Sequence, residues 1–260
     1  MDFGIKGKTA LVIGAGSGLG AASARALSAE GAHVVLVGRR PEVLAASAAT
    51  MAGPTTQVVW DVSNPEQAAG RVAEIRAQAG PIEILVNNTG GPPPSPAAGQ
   101  PIDLWSTHFR GMVMSLIAIT DAVLPDMRAA GWGRIVTIAS SGVVAPIPNL
   151  ALSNSLRGAL VGWSKTLSRE LAPKGITVNM ALPGRIATDR LRSLDEGRAK
   201  RESRPVDDVI GESLSAIPLG RYGEPDEFGA AVGFLCSRQA SYITGCMMRI
   251  DGGMIASIGG

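Results

Sequence analysis

The chain has 260 residues, of which 45% are hydrophobic and 18% are charged, and this balance excludes a disordered chain and fits one globular domain. Its net charge of +2 at pH 7 provides no strong basic field, so nucleic acid is not expected as a partner. Two cysteines are too few for a disulfide framework, and we find neither a signal-peptide pattern nor an apolar run of membrane-spanning length. We therefore expect a cytoplasmic protein that has no membrane partner.

Short β-rich runs alternate with longer amphipathic patterns along the chain. Strands are predicted at residues 9–13, 33–37, 57–60, 84–87, 134–139, 177–181 and 247–250, and helices at 18–29, 65–79, 104–128 and 150–172 among others. Runs such as ALVI and VVLV are continuously apolar, which is typical of parallel strands covered on both faces. The alternation predicts an α/β fold with one doubly wound parallel sheet of the Rossmann type, in a single domain over residues 1–260.

A glycine-rich loop, GAGSGLG at residues 14–20, follows the first predicted strand and opens the first predicted helix. Glycines allow the backbone to turn tightly and to approach a pyrophosphate, and the helix N-terminus offers free N–H groups. A strand before the loop and a helix after it are the context that dinucleotide binding requires. The predicted cofactor contacts in this loop are Gly14, Gly16, Ser17, Gly18, Leu19 and Gly20.

The end of the second predicted strand indicates which dinucleotide binds. An NAD site usually places an acidic residue there to hold the ribose hydroxyls, but this chain has Gly38 followed by Arg39 and Arg40. Arginine pairs well with a 2′-phosphate, and the missing carboxylate removes a repulsion. The pattern favours NADP(H), with Arg39 and Arg40 as its contacts.

Two segments break the alternation of strands and helices. The proline-rich loop, residues 90–101, has too much proline and glycine for a helix or a strand. The lid segment, residues 185–222, is long and highly charged, and is either a solvated helical face or a mobile lid over a substrate cleft. We expect both to flank the cleft at the carboxyl ends of the strands. The lid segment contains several arginines that favour an anionic substrate, although acids interleaved with them oppose this preference. These arginines are Arg190, Arg192, Arg198, Arg201 and Arg204.

Further motifs are, in chain order, DV at 61–62, NNTG at 87–90, PGRIAT at 183–188 and IDGG at 250–253. Together with the glycine loop they resemble the short-chain dehydrogenase/reductase family, especially its 3-oxoacyl-(acyl-carrier-protein) reductase-like members. The resemblance covers nearly the whole chain and implies a homo-tetramer with interfaces at residues 150–172 and 243–260. It implies no metal site. The cofactor contacts that it adds are Asp61, Val62, Asn88, Gly90, Arg157, Pro183, Gly184, Ile186 and Thr188.

The chain departs from this family at its catalytic positions. The family's chemistry uses a serine, a tyrosine thirteen residues later and a lysine four beyond that, with an asparagine on a preceding helix. Ser140 fits the serine, but Ser153 stands in the tyrosine position, Arg157 in the lysine position and Met112 in the asparagine position. The loss of one acid–base group costs about 10²–10⁴-fold in rate.

The altered centre leaves three interpretations open, with Ser140, Ser153 and Arg157 as the candidate catalytic residues. In the first, the protein is an NADP(H)-dependent oxidoreductase that transfers hydride to a small-molecule carbonyl such as a 3-oxoacyl thioester or a ketone. In the second, it reduces a protonated C=N substrate, which needs little help from an acid. In the third, it is a non-catalytic NADP(H)-binding scaffold. The intact cofactor motifs weigh against the third interpretation.

Overall fold

Seven strands form one parallel sheet in the computed structural model, which describes residues 2–258. The strands are β1 (Thr9–Ile13), β2 (His33–Gly38), β3 (Thr55–Val59), β4 (Ile82–Asn87), β5 (Gly133–Ile138), β6 (Ile176–Pro183) and β7 (Met247–Ile250). Their spatial order is β3-β2-β1-β4-β5-β6-β7. The chain therefore reverses its direction of winding between β1 and β4, which opens a crevice at the carboxyl ends of these strands. The predicted doubly wound fold is confirmed.

The helices cover both faces of this sheet. Their bounds are α1 (Gly18–Ala29), α2 (Pro41–Ala48), α3 (Ala68–Ala79), α4 (Ile102–Phe109), α5 (Ser115–Ala130), α6 (Ala151–Leu171), α7 (Asp189–Glu202), α8 (Val206–Ser215) and α9 (Pro225–Leu235). Strand side chains alternate between the two faces, so β1 buries Ala10 and Val12 in one apolar cluster and Leu11 and Ile13 in another. Full burial of each aliphatic side chain contributes roughly 1.5–3 kcal/mol. None of the helices within residues 2–258 is both long enough and apolar enough to cross a bilayer.

The bounds of several predicted elements shift in the structure, and two of these differences have a clear physical reason. The helix predicted at 104–128 is interrupted by a π-helical turn, Arg110–Met114, which separates α4 from α5. The spacing of apolar residues in the sequence does not show that one helical turn contains an extra residue. Such π-helical turns often occur at functional sites. The third strand begins two residues earlier than predicted because Thr55 and Thr56, although polar, pair with β2 at the edge of the sheet.

Candidate functional site

The glycine loop, residues 14–20, has a backbone that only glycine accommodates at several positions. Gly14 and Gly18 have positive φ values of 66° and 55°. A Cβ atom on Gly20 would lie 2.1 Å from the Gly14 carbonyl oxygen, a distance at which the loop would have to move. The backbone of the loop therefore folds tightly against the start of α1, as a pyrophosphate cradle requires.

Hydrogen bonds from neighbouring elements hold this loop in place. The Ala15 N–H donates to the Val37 carbonyl over 2.9 Å, and the Ser47 hydroxyl donates to the Ala15 carbonyl over 2.8 Å. The Asn88 amide lies 3.4 Å from the Gly14 carbonyl and so links the loop to the end of β4. Ser17, at the start of α1, makes no capping bond with its side chain in the described structure, so the first N–H groups of the helix are available to an anion.

Arg39 and Arg40 lie exposed at the carboxyl end of β2, and Gly38 before them is half-buried. Neither arginine forms an ion pair with any residue in the described part of the chain. Just beyond the adjacent edge strand β3, Asp61 is exposed and accepts a hydrogen bond from the Ser63 N–H, while Val62 is partly buried against the core. The corner formed by Arg39, Arg40 and Val62 combines two unpaired positive charges with an apolar side chain, which suits a phosphorylated adenosine.

Ser140 follows the end of β5 and begins a short 3₁₀ turn. Its hydroxyl oxygen accepts the Gly142 N–H over 3.1 Å, which leaves the hydroxyl hydrogen free to donate to a ligand. Ser153 and Arg157 lie one helical turn apart on the inward face of α6, each with only 8% of its surface exposed. The fold therefore places two of the predicted catalytic residues on one side of one helix.

Arg157 spans the carboxyl ends of two neighbouring strands. Its guanidinium donates to the Ile138 carbonyl at the end of β5 over 2.9 Å, and to the Thr89 carbonyl beyond β4 over 3.4 Å. Burial, together with a smaller effect of the positive charge of Arg190, lowers the pKa of Arg157 to about 10. Arg157 is nevertheless a cation at neutral pH, so it binds and orients groups but does not exchange protons there.

Met112 stands where the resembling family has an asparagine, and its surroundings are apolar. It lies in the π-helical turn with 4% of its surface exposed and packs in an apolar cluster with Leu152 and Leu156 of α6. A thioether in an apolar cluster does not hold a chain of waters that could deliver protons to Arg157. The π turn of this chain thus carries a packing residue rather than a polar relay.

Thr89 is a residue of the crevice whose role was not predicted from the sequence. Its hydroxyl is buried and has no hydrogen-bond partner within residues 2–258, and the neighbouring Gly90 is exposed, with nothing within 4 Å of where its Cβ would lie. A buried hydroxyl without a partner is costly, so a polar group of a ligand is a fitting partner. The only sequence signal was a hydroxyl residue where the resembling motif has alanine.

The segment from Pro183 to Thr188 closes the other side of the crevice. Gly184 approaches Asp251 so closely that a Cβ would lie 2.6 Å from the Asp251 Cα, and the Gly184 N–H donates to the Ile250 carbonyl over 2.9 Å. Ile186 is buried, and the Thr188 hydroxyl accepts the Leu191 N–H as the N-cap of α7. A Cβ on Gly18 would lie 3.6 Å from the Thr188 methyl group, so this segment faces the glycine loop.

The lid segment, residues 185–222, contains the two helices α7 and α8 rather than an irregular loop. It is fastened by Asp195, which accepts hydrogen bonds from Arg185 over 2.9 Å and from the Tyr222 hydroxyl over 2.8 Å. Burial and the bond to Asp195 raise the pKa of Tyr222, so its phenol stays protonated at neutral pH. We call these three residues the Asp195 anchor, because they join α7 to both ends of the lid segment.

We expect Asp195→Ala to lower the free energy of unfolding by about 1–3 kcal/mol, because it leaves Arg185 and Tyr222 without their buried acceptor. The side chain of Asp195 is 4% exposed. The measurement is urea unfolding, combined with hydrogen exchange of the α7 amides, which should exchange faster. The matched control is Asp189→Ala, whose side chain is 90% exposed and only loosely paired with Arg192, so a change within about 0.5 kcal/mol is expected. Equal effects of the two substitutions would contradict the role of the anchor.

Three arginines of the lid segment differ in the partners that they bind. Arg198 and Arg204 form ion pairs with Glu202 and Glu212, so acids of the same segment compensate their charge. Arg190 instead reaches into the proline-rich loop, residues 90–101, and donates to the Pro92 carbonyl over 3.0 Å.

The proline-rich loop also contacts the start of α6. The Ser95 N–H donates to the Asn149 carbonyl, and the Ala151 N–H donates to the Ser95 carbonyl. The proline-rich loop therefore contacts both the lid segment and the start of α6, the helix that carries Arg157. No cluster of three or more potential metal ligands occurs in the part of the chain that the structure describes.

Comparison with known proteins gives matches over nearly the whole chain. A family model described as Enoyl-(Acyl carrier protein) reductase matches residues 14–255. The 3-oxoacyl-(acyl-carrier-protein) reductase of Escherichia coli strain K12 is 34% identical over 256 residues, which cover 98% of this chain and 99% of that protein. The solved structure of L-sorbose reductase from Gluconobacter frateurii, complexed with NADPH and L-sorbose, is 31% identical with a TM-score of 0.92 and covers 99% of this chain and 100% of that one. YwfH, an NADPH-dependent reductase involved in bacilysin biosynthesis, is 29% identical with a TM-score of 0.92, over 97% and 100% of the two chains.

Proposed function

Because the chain belongs to the short-chain dehydrogenase/reductase family, we propose that it is an NADP(H)-dependent reductase of small carbonyl compounds. The observation that carries this proposal is a glycine-loop cradle at the carboxyl end of β1, at the same edge of the sheet where Ser140 follows β5 and Arg157 bridges the ends of β4 and β5. Relatives and structural neighbours whose names state reduction of a carbonyl or dependence on NADPH give further support.

The residues of the crevice fit NADP(H) along its whole length. The close-packed backbone of the glycine loop and the free N–H groups of α1 suit the pyrophosphate, and the unpaired Arg39 and Arg40 suit the 2′-phosphate. Asp61 and Val62 would contact the adenine. Asn88, Gly90, Arg157 and the segment with Pro183, Gly184, Ile186 and Thr188 would hold the nicotinamide half. The bound cofactor supplies the hydride.

The chain's own side chains then have distinct roles at the reacting oxygen. Ser140 donates a hydrogen bond to the carbonyl oxygen, since its hydroxyl oxygen accepts the Gly142 N–H and its hydroxyl hydrogen is free. Arg157 stabilises negative charge that develops on that oxygen and holds the nicotinamide ribose. Ser153 offers a second hydroxyl but no adjacent base, so water delivers the proton. We therefore expect a slow reductase whose rate is limited by protonation.

The charge of the crevice bears on the alternative substrate. A protonated imine is a cation, and Arg157 and Arg190 both place positive charge in the cleft. Like charges in a desolvated site repel strongly, so a neutral or anionic carbonyl compound suits the cleft better. Ser153, Arg157 and Met112, which stand where the family has catalytic residues, favour a scaffold without catalysis, and the residues that suit a cofactor weigh against it.

We propose a homo-tetramer as the assembly. Support comes from apolar side chains that are exposed in the single chain, including Ile102, Phe109 and Met114 along α4 and the π turn, and Tyr242 and Ile258 near the C-terminus. The outer face of α6 carries Gly158 and Gly162, whose missing side chains allow close approach of another helix. Light scattering after size-exclusion chromatography tests this assembly.

Cytoplasmic location stays a prediction from the sequence.

The test of the function is substrate-dependent oxidation of NADPH by the purified protein, with NADH for comparison. The panel contains a 3-oxoacyl thioester, simple ketones and aldehydes, and a cyclic imine. We expect turnover of carbonyl compounds with NADPH, and a rate that falls in Ser140→Ala. Turnover of the imine alone would support the second interpretation. Tight binding of NADPH without turnover of any compound, over a broad pH range, would overturn the proposal in favour of a scaffold.

A further inference from the structure

Two arginine side chains from distant parts of the chain bind the same short stretch of backbone. Arg157 of α6 donates to the Thr89 carbonyl over 3.4 Å, and Arg190 of α7 donates to the Pro92 carbonyl over 3.0 Å. Only Gly90 and Gly91 separate these two carbonyls in the chain. The two guanidinium groups therefore lie at the ends of one arc of backbone beside the crevice.

The position of Arg190 depends on a missing side chain. A Cβ on Gly91 would lie 2.6 Å from the Arg190 Nη2 and 3.2 Å from its Cζ, so the guanidinium packs directly against the glycine backbone. At the other end, no atom lies within 4 Å of where a Cβ on Gly90 would be. The arc thus combines a fixed guanidinium with open space for a ligand next to it.

Neither guanidinium has an acidic partner among residues 2–258, since no carboxylate oxygen lies within ion-pair distance of Arg157 or Arg190. Protein atoms around both groups lower the pKa of each, and their mutual repulsion lowers that of Arg157 further. Arg157 is buried, and a cation that is removed from water is normally paired, whereas Arg190 lies exposed at the edge of the cleft, where a ligand can reach it. The other pairings of the lid segment, such as Arg185 with Asp195, show that acids of this chain compensate charge where no ligand is needed.

The negative charges of a dinucleotide do not account for this pair. In the proposed binding mode its pyrophosphate lies on the glycine loop and its 2′-phosphate lies at Arg39 and Arg40, whereas the nicotinamide ribose beside Arg157 is uncharged. Guanidinium groups recognise carboxylates by paired N–H donation. An anionic group on the substrate is the remaining source of compensating charge.

We propose that Arg157 and Arg190 form an anion site in the substrate cleft, so that the preferred substrate is a carbonyl compound that also bears a carboxylate. This inference rests on the proposed reductase function. Arg190 is the residue that determines specificity, because Arg157 also serves the cofactor and the reacting oxygen.

The first test compares carbonyl substrates that differ only in charge. The probes are 4-oxobutanoate, 5-oxopentanoate and 6-oxohexanoate, each against its methyl ester, with NADPH oxidation as the readout. We expect at least one acid to exceed its ester in kcat/KM by roughly 10- to 100-fold, and Arg190→Met to abolish that preference. The matched control is Arg192→Met, which removes the same charge from an exposed side chain of the same helix and should keep the preference.

The second test needs no turnover, so it separates this inference from the proposed function. Calorimetry measures binding of 4-, 5- and 6-carbon ω-hydroxy acids and of their methyl esters to the NADPH-loaded protein. We expect the acids to bind more tightly than the esters in the parent and in Arg192→Met, but not in Arg190→Met. This result would uphold the anion site even if no carbonyl compound were reduced.

Two outcomes would overturn the inference. One is equal affinity of acids and esters for the parent protein. The other is a loss of NADPH affinity in Arg190→Met without any change in the preference between acid and ester, because Arg190 would then bind a phosphate of the cofactor. Affinity for NADPH, measured by fluorescence for each variant, distinguishes these two sources of negative charge.

Discussion

The double variant Ser153→Tyr/Arg157→Lys is expected to reduce carbonyl substrates about 10²–10⁴-fold faster than the parent, because it supplies the acid–base group that the crevice lacks. Both positions lie on the inward face of α6, one turn apart, and Ser140 is already present at the end of β5. A lysine at position 157 keeps the positive charge and lowers the pKa of a nearby phenol, which makes it a better proton donor. The measurement is kcat for NADPH oxidation with ketones and aldehydes.

The matched control for this gain is Ser155→Tyr/Arg157→Lys. Ser155 is exposed, and its place two residues further along α6 puts its side chain on another face of the helix. The control has the same composition but places the phenol in solvent, so no gain is expected. If neither double variant gains activity although both bind NADPH and unfold at the parent's temperature, the cleft itself has diverged from carbonyl reduction.

Arg39→Ala/Arg40→Ala is expected to weaken NADPH binding by roughly 10²-fold, because charge-assisted hydrogen bonds to the 2′-phosphate contribute about 1.5–3 kcal/mol each. NADH has no such phosphate, so its affinity should stay within a few-fold of the parent value. Adding Gly38→Asp should turn the preference toward NADH, since a carboxylate there binds ribose hydroxyls and repels a phosphate. A Cβ on Gly38 would lie 3.1 Å from a terminal carbon of Leu44, a side chain that can shift slightly.

A control for net charge accompanies this change of cofactor preference. Arg128→Ala/Lys174→Ala removes two positive charges from exposed positions, one in the last turn of α5 and one just beyond α6, at the edge of the sheet opposite the crevice. NADPH affinity should then change little, and the salt dependence of binding should be retained. A similar loss in both double variants would mean that overall charge, rather than the corner at Arg39 and Arg40, attracts the cofactor.

The Asp195 anchor and the pair formed by Arg157 and Arg190 illustrate why the lid segment was hard to interpret from sequence. Its charged composition allowed either a solvated helical face or a mobile lid. In the fold, Glu202 and Glu212 neutralise Arg198 and Arg204 locally, whereas Arg190 turns to the proline-rich loop. A charge pattern along the chain does not indicate which side chains meet a partner.

The sequence alone determined the doubly wound sheet, the glycine loop and the prediction that Ser153 and Arg157 stand where the family has a tyrosine and a lysine. These features depend on local properties: the alternation of apolar runs, the backbone freedom of Gly14 and Gly18, and the identity of single residues at a known spacing. The tertiary structure alone decided that the carbonyls of Thr89 and Pro92 bring Arg157 and Arg190 to one arc, and that Met112 is packed in a π turn. Such contacts depend on crossover connections that bring together segments distant in the chain, and hydrophobic periodicity within each segment carries no information about them.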